Sequence, residues 1–332
     1  MLDKDNVVFD SRYAEIAEEY ITYKQSLGFS FGYNDKRHLN RLLKYLYSQG
    51  SKSNPLLFDE SIVINYFKSE TNSPRTVHSK QSFIRQFAIF LNNVKGIEAY
   101  TYPQELIKTE KNYIPRIFST DEIIRIFETC DHLKYDSNSY QYNYLIFPAL
   151  LRVLYCCGLR LGEALKLKVD DVDLNSGIIV ICNGKNNVSR LIPISDSLKE
   201  YLIIYDNNLI RKNNYFFPAV NGYMNPGTVR KLYHRTLKEA GIDGRASNGQ
   251  SRIHDLRHNF AIHTLENVIN LGMDPYCSLP ILSVYMGHKG IESTEIYLRL
   301  TKHYFVNFLN YSKKDADHLF PDYLFNSILY FI

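Results

Sequence analysis

Residues Tyr100 to Arg116 divide this chain more sharply than any other feature, because they carry Pro103 and Pro115, are otherwise polar, and show no regular apolar period. Such a stretch reads as a linker. It splits the 332 residues into two parts that must each bury a core of their own. The expected organisation is a helical part over residues 1–105, a linker over 106–116, a larger part over 117–312 and an apolar tail over 313–332.

The first part reads as helices throughout: Ala14 to Leu27, Asp35 to Ser48, Asp59 to Lys68, and Pro74 to Leu91 with proline at its first position. In the second of these, Leu39, Leu42, Leu43 and Leu46 make an apolar stripe while Arg37, Arg41 and Lys44 share another face. A solvated basic surface is the plain reading of those cations. Between Thr71 and Ile97, however, there is no acidic residue against Arg75, Lys80, Arg85 and Lys95, as a surface meeting phosphates requires. Because this part as a whole is nearly neutral, any such surface must be one-sided.

Beyond the linker, Ser119-Thr120-Asp121-Glu122 has the form of a capping sequence and opens a helix through Phe127. Helices are expected again from Tyr144 to Tyr155 and from Arg160 to Leu167. The period then switches: Ile178 to Asn183 and Arg190 to Ile194 are β-rich runs joined by Gly184 to Ser189, a short hairpin carrying Lys185 near its turn. From Asn225 the pattern returns to helix, with Asn225 as cap, Pro226 in the first turn, and Arg230, Lys231, Arg235 and Lys238 close together. That helix could dock in a DNA groove or be merely a solvated basic face. The fold class is therefore mainly α with a small antiparallel β-sheet, with no internal repeat.

Apolar content of 45% and charged content of 22% fit an ordinary globular protein. The chain shows neither a long uncharged apolar run nor a basic-then-apolar leader, so a cytoplasmic location and no membrane partner are expected. Cys130, Cys156, Cys157, Cys182 and Cys277 form no Cys-x-x-Cys pair and read as small buried side chains, with neither a zinc site nor a disulfide framework. The net charge of +4 permits nucleic-acid binding without requiring it.

The chemistry lies in six scattered residues. Arg160 stands in Gly158-Leu159-Arg160-Leu161-Gly162-Glu163, Lys185 follows Gly184, His254 and Arg257 belong to His254-Asp255-Leu256-Arg257-His258, and Tyr297 follows Gly287-His288 by nine positions. With Ile192-Pro193-Ile194, these elements resemble the tyrosine recombinases, also called phage integrases. The resemblance covers residues from about 112 to 303 directly, and extends more loosely to a helical core-binding domain before the linker. The stretch Val268 to Leu279 is longer than in compact members and touches no motif residue.

The same residues support that chemistry on physical grounds. A tyrosine hydroxyl is protonated at neutral pH, and forming its phenolate costs on the order of 4 kcal/mol. Guanidinium groups against a phosphodiester's non-bridging oxygens would stabilise the transition state, a role that suits Arg160 and Arg257 and that the resemblance also implies. A departing sugar 5′-oxygen needs an acid, for which Lys185 is the candidate, with Arg190 a nearby alternative cation. His254 and His288 are left to accept the tyrosine proton and to bond phosphate oxygens, in an undecided division. Glu163 would orient an arginine or Lys185. His258 and His263 are expected to be structural, and His254 with His258 lacks a third metal ligand.

The expected reaction joins Tyr297 to a DNA 3′-phosphate and releases a 5′-hydroxyl, with no metal or cofactor. The resemblance further implies strand exchange through a four-way (Holliday) junction by a tetramer on two duplexes bearing inverted-repeat core sites, with accessory proteins an open addition. A mobile element, a phage or a bacterial chromosome is the expected setting. Two other readings stand beside it: relaxation of supercoils by a type IB topoisomerase, and a non-catalytic DNA-binding regulator. The tail from Asp315 to Ile332, rich in Leu, Phe, Tyr and Ile, should either pack on its own domain or dock in a neighbouring protomer.

Overall fold

The computed structural model describes residues 7–51, 56–68, 74–103, 113–134, 142–182, 189–246, 249–288 and 290–300. Lys185 and the whole apolar tail lie outside these residues. The chain forms two compact units, Met1–Lys111 and Asn112–Ile332.

The first unit is helical: α1 (Ala14–Ser26), α2 (Tyr33–Gln49), α3 (Glu60–Lys68) and α4 (Pro74–Phe90). Helix α2 begins two residues before the expected Asp35, because the Asp35 carboxylate reaches back to accept the Gly32 N–H at 3.0 Å and caps an earlier turn. Its leucine stripe is wholly buried, each side chain contributing about 2 kcal/mol of apolar transfer. Tyr20 of α1 sits among Phe31, Phe83, Phe87 and Phe90, an aromatic centre built from three segments. Helix α4 runs into a wide π turn, Leu91–Lys95, closed by Gly96 in the left-handed region at φ 65°. Asn92 in that turn exchanges hydrogen bonds with both backbone groups of Ala99 and folds the following chain back.

The second unit opens with α5 (Thr120–Asp131), capped reciprocally by Ser119 and Glu122 as the sequence predicts. It continues one turn past Phe127, because Ile126 and Cys130 extend the buried stripe. Helix α6 (Asn143–Cys156) is apolar on nearly every side and lies in the centre, packed against α5, α7 (Leu161–Lys166), α8 (Asp196–Asn208) and α10 (Asp255–Asn270). The sheet has three antiparallel strands in the order β1 (Val172–Asp173), β2 (Ile178–Ile181) and β3 (Arg190–Pro193), with Ile179 opposite Ile192. Strand β1 and the hairpin of β4 (Arg245–Ala246) and β5 (Gly249–Gln250) have no counterpart in the sequence expectations, since two residues are too few to show an alternating period.

Helices α9 (Pro226–Glu239), α11 (Pro275–Met286) and α12 (Glu292–Leu300) complete the unit. The long stretch Val268 to Leu279 becomes the end of α10, a turn at Gly272 and the start of α11, which Asp274 caps by accepting the Tyr276 N–H at 2.8 Å. Cysteine burial holds for Cys130 and Cys157, but Cys182 and Cys277 are exposed, one just beyond a strand end and the other in the first turn of α11. Among the described residues no helix is long and apolar enough to cross a membrane.

Gly158 links α6 to α7 at φ 57°, and a Cβ there would collide with the Phe260 ring. Gly158→Ala is expected to destabilise the second unit by about 3 kcal/mol, from left-handed strain and overpacking together. A lowered urea midpoint for that unit, with the first unit's transition unmoved, is the measurement that checks it.

Candidate active site

Helix α10 fixes the site because its first turn is anchored from several directions. Asp255 is fully buried, and its Oδ2 accepts hydrogen bonds from the Tyr113 hydroxyl at 2.6 Å, the Ser251 hydroxyl at 3.1 Å and the Arg252 N–H at 3.1 Å. One turn later, Asn259 accepts the Phe118 N–H at 2.6 Å and donates to the Arg116 carbonyl at 2.8 Å. The turn held in this way carries Arg257, which is buried.

Only 2% of Arg257 is exposed, and its guanidinium donates to the carbonyls of Gly158 and Met286, both at 2.6 Å, and to Nε2 of His288 at 3.0 Å. Met286 ends α11, so this cation satisfies an orphan carbonyl at a helix C-terminus. Burial first, and Arg160 next, lower its pKa to about 10, which leaves it cationic at neutral pH.

Arg160, immediately before α7, is more accessible at 21%, and donates to Glu163 at 2.7 Å and to the Gly287 carbonyl at 3.3 Å. Glu163 is thus paired with an arginine. Its second oxygen receives Arg190 of β3 at 2.8 Å, and Arg190 also donates to the Tyr285 carbonyl at 2.8 Å. Burial raises the Glu163 carboxyl, but the hydrogen bonds from Arg190 and Arg160 outweigh it and bring the pKa down to about 2. Arg190 entered the sequence reading only as a substitute for Lys185, and the structure gives it this separate place. Its inward position two residues before buried Ile192 is the signal that could have marked it.

The histidines separate by their partners. A guanidinium only donates, so Nε2 of His288 accepts from Arg257; a neutral ring then carries its proton on Nδ1 and donates to the Thr294 hydroxyl at 2.8 Å. Burial, then Arg257, Arg160 and Arg190, lower the His288 pKa to about 4. His263 is structural as expected, its Nε2 donating to the Phe118 carbonyl at 2.9 Å and its Nδ1 lying 2.8 Å from the Tyr155 hydroxyl. His254 is exposed at the start of α10, its ring edge-on to His258 with centroids 5.0 Å apart. His258, expected to be structural, instead has its Nδ1 at 3.2 Å from the Tyr297 hydroxyl. Sequence spacing could not reveal this, since the partner lies on another helix.

Tyr297 is 3% exposed on α12, its ring stacked alongside His288 at 6.3 Å. Burial raises its pKa, while Arg257 and Arg160 act in the opposite direction. The structure thus brings Arg160, Glu163, His254, Arg257, His288 and Tyr297 together from four segments. Among the described residues no group of His, Cys, Asp or Glu could hold a metal.

The residues expected to meet DNA are mixed. Arg37, Arg41 and Lys44 are exposed along α2, as are Arg230 and Lys231 on α9, while Arg235 is partly exposed and pairs with Glu239 at 2.7 Å. Arg85 is half-buried. Lys80 departs from the expectation of an outward phosphate contact: only 8% is exposed, in a hollow of about 440 Å³ lined also by His38, Tyr66 and Phe83. The acid-free stretch placed it with the cations, but the hollow it lies in is lined by α2 residues as well. The side chain of Arg75 lies outside the described residues.

The sequence pattern of the phage integrase family matches residues 116–303. The tyrosine recombinase XerD of Staphylococcus haemolyticus is 32% identical over 208 residues, covering 60% of this chain and 64% of that protein. XerC of Halalkalibacterium halodurans is 30% identical over 240 residues, covering 68% and 72%. Among solved structures, XerH recombinase bound to a palindromic difH substrate aligns at a TM-score of 0.59 with 19% identity, over 91% of this chain and 84% of that one. A lambda integrase dimer on a COC′ core site aligns at 0.56 with 15% identity, over 85% and 76%.

The neutral His288 predicts an acid dependence of stability. Unfolded chains protonate this imidazole near 6.5 and the folded protein near 4, so between those values the unfolded state binds more protons and stability falls as pH falls. His288→Asn should make that slope shallower by about one proton, and leave stability above pH 7 with no added pH dependence. Urea unfolding in steps from pH 7.5 to 4 measures it.

Proposed function

Since the chain belongs to the phage integrase family of tyrosine recombinases, we propose that it cleaves and rejoins DNA at specific sites through a covalent link between Tyr297 and a 3′-phosphate. The observation that carries this reading is the convergence of a buried tyrosine hydroxyl, two guanidinium groups and neutral imidazoles at one place. No single segment supplies more than part of that set.

Arg160, held from one side by Glu163, has an accessible edge for a non-bridging phosphate oxygen. Arg257 spends donors on Gly158, Met286 and His288 and has others left for the phosphate. Two fixed cations beside a phosphodiester stabilise the charge that grows as the phenol oxygen attacks phosphorus. Exposed His254 can donate to a phosphate oxygen. Lys185 supplies the proton that the departing 5′-oxygen requires. The phosphotyrosyl ester conserves the energy of the broken bond, so a second 5′-hydroxyl can reseal DNA with no nucleotide cofactor.

The wider assembly follows the same reading: a homotetramer on two duplexes with inverted-repeat sites, exchanging strands through a four-way junction and helped by accessory proteins, in the cytoplasm of a cell carrying a mobile element, a phage or a chromosome that needs it. Exposed Arg37, Arg41, Lys44, Arg230 and Lys231 supply cations for the phosphate backbone.

The substrate for testing is a duplex selected from a random pool by binding to the protein, then nicked so that cleavage traps the intermediate. Tyr297→Phe should bind this duplex as wild type does and form no covalent adduct on a denaturing gel; an adduct would overturn the nucleophile. Lys185→Ala should bind and cleave at least about 100-fold more slowly. Replacing the 5′-bridging oxygen by sulfur, which leaves without a proton, should restore its rate, and no restoration removes Lys185 as the acid.

A further inference from the structure

Resting on the recombinase reading above, we propose that His258 is the base that takes the Tyr297 proton during cleavage and returns it during ligation. Its Nδ1 stands 3.2 Å from the Tyr297 oxygen, within the reach a proton acceptor needs of the atom it deprotonates. The two histidines that the sequence offers for this work are placed for other tasks.

The basic nitrogen of His288, Nε2, already accepts from Arg257, and its Nδ1 proton goes to Thr294. Its ring lies beside the phenol ring, 23° from parallel, so it orients Arg257 and shields Tyr297. His254 is exposed one turn before His258, at the cap of α10, with its ring edge-on to that of His258. A ring nitrogen of His258 meets the phenol oxygen directly.

The surroundings keep His258 ready to accept. It faces Asp255, His254 and Arg257 on its own helix, and Tyr297 and His288 from the segment after α11. Burial foremost, and Arg257 with it, hold its pKa below the ordinary value of 6.5, with Asp255 acting against them. The ring is then neutral at physiological pH, with its proton on Nε2 and the Nδ1 lone pair toward Tyr297. Buried Arg257, and Arg160 with it, also face the developing phenolate and lower the proton affinity of Tyr297, against the burial that raises it.

Each step balances. The Tyr297 oxygen bonds phosphorus as its proton passes to Nδ1, making His258 an imidazolium. The bond from phosphorus to the 5′-oxygen breaks, its electron pair stays on that oxygen, and a proton from the leaving-group acid converts it to a hydroxyl. In ligation a 5′-hydroxyl attacks the phosphotyrosine, the acid residue recovers its proton, and His258 reprotonates the departing phenolate.

The experiment compares wild type, His258→Ala and His258→Gln on the nicked duplex in single-turnover cleavage. Both variants should bind within about twofold of wild type and cleave about 100- to 1000-fold more slowly. Added imidazole should recover part of the rate of His258→Ala alone, and the acid limb of the wild-type pH profile, which falls below pH 6.5, should vanish in both. Substitution of the bridging oxygen by sulfur should leave both variants slow, opposite to Lys185→Ala. A variant that binds and cleaves within about threefold of wild type overturns the proposal, as does rescue by sulfur. Should neither variant bind, nitrogen-15 resonances of the wild-type imidazoles decide: an Nδ1 acceptor signal for His258 that shifts in Tyr297→Phe supports the assignment, and a protonated Nδ1 refutes it. No adduct even with wild type would overturn the recombinase reading itself, whereas an adduct with fast His258 variants overturns only the base.

Discussion

Burying a guanidinium costs several kcal/mol unless acceptors surround it, and Arg257 finds them only where separate segments end together. The Gly158 carbonyl comes from the turn after α6, the Met286 carbonyl from the last residue of α11, and the imidazole of His288 from just beyond that helix. If any one of these withdrew, a buried charge would lose a partner, so the cation holds the segments in register. Arg160 lies two residues after Gly158 and His288 two after Met286, so the same hydrogen bonds set the spacing of the groups that meet phosphate. Stability and chemistry depend on one side chain here.

Glu163 extends this arrangement to the sheet. Its carboxylate is shared by Arg160 and Arg190, and Arg190 also reaches the Tyr285 carbonyl at the end of α11. Strand β3, helix α7 and the turn before His288 are thereby joined through a carboxylate that stays ionised well below neutral pH. Gly287 adapts to the close approach: it takes φ 65°, and a Cβ there would come within 2.9 Å of the Arg190 guanidinium. The glycine is required both by its backbone angle and by its neighbour.

Much of this was legible in the sequence wherever a pattern repeats or a motif is local. The leucine stripe of α2, the Ser119 cap, the β2 and β3 runs and the Asn225 cap all rest on neighbours two to four positions away. The motif residues were legible by type and order, because attack on a phosphodiester calls for those groups. What remained hidden depends on distant partners. His258 could be valued only once α12 was known to lie across α10, and Arg190 only once β3 was known to lie beside α7. Lys80 looked like the other cations of α4 until α2 covered it. The π turn at Leu91 and the two-residue strands are too short for any period to show.

The first turn of α10 is also where the entering chain is tied down. Tyr113 and the Arg116 N–H are held by Asp255, and the Arg116 carbonyl and Phe118 N–H by Asn259. His254 lies next to Asp255 in sequence, and Arg257 and His258 fall between the two anchors. Tension on the incoming segment would therefore fall on four hydrogen bonds of 2.6 to 3.3 Å that hold the turn carrying these side chains. The leash and the trigger share one fastening.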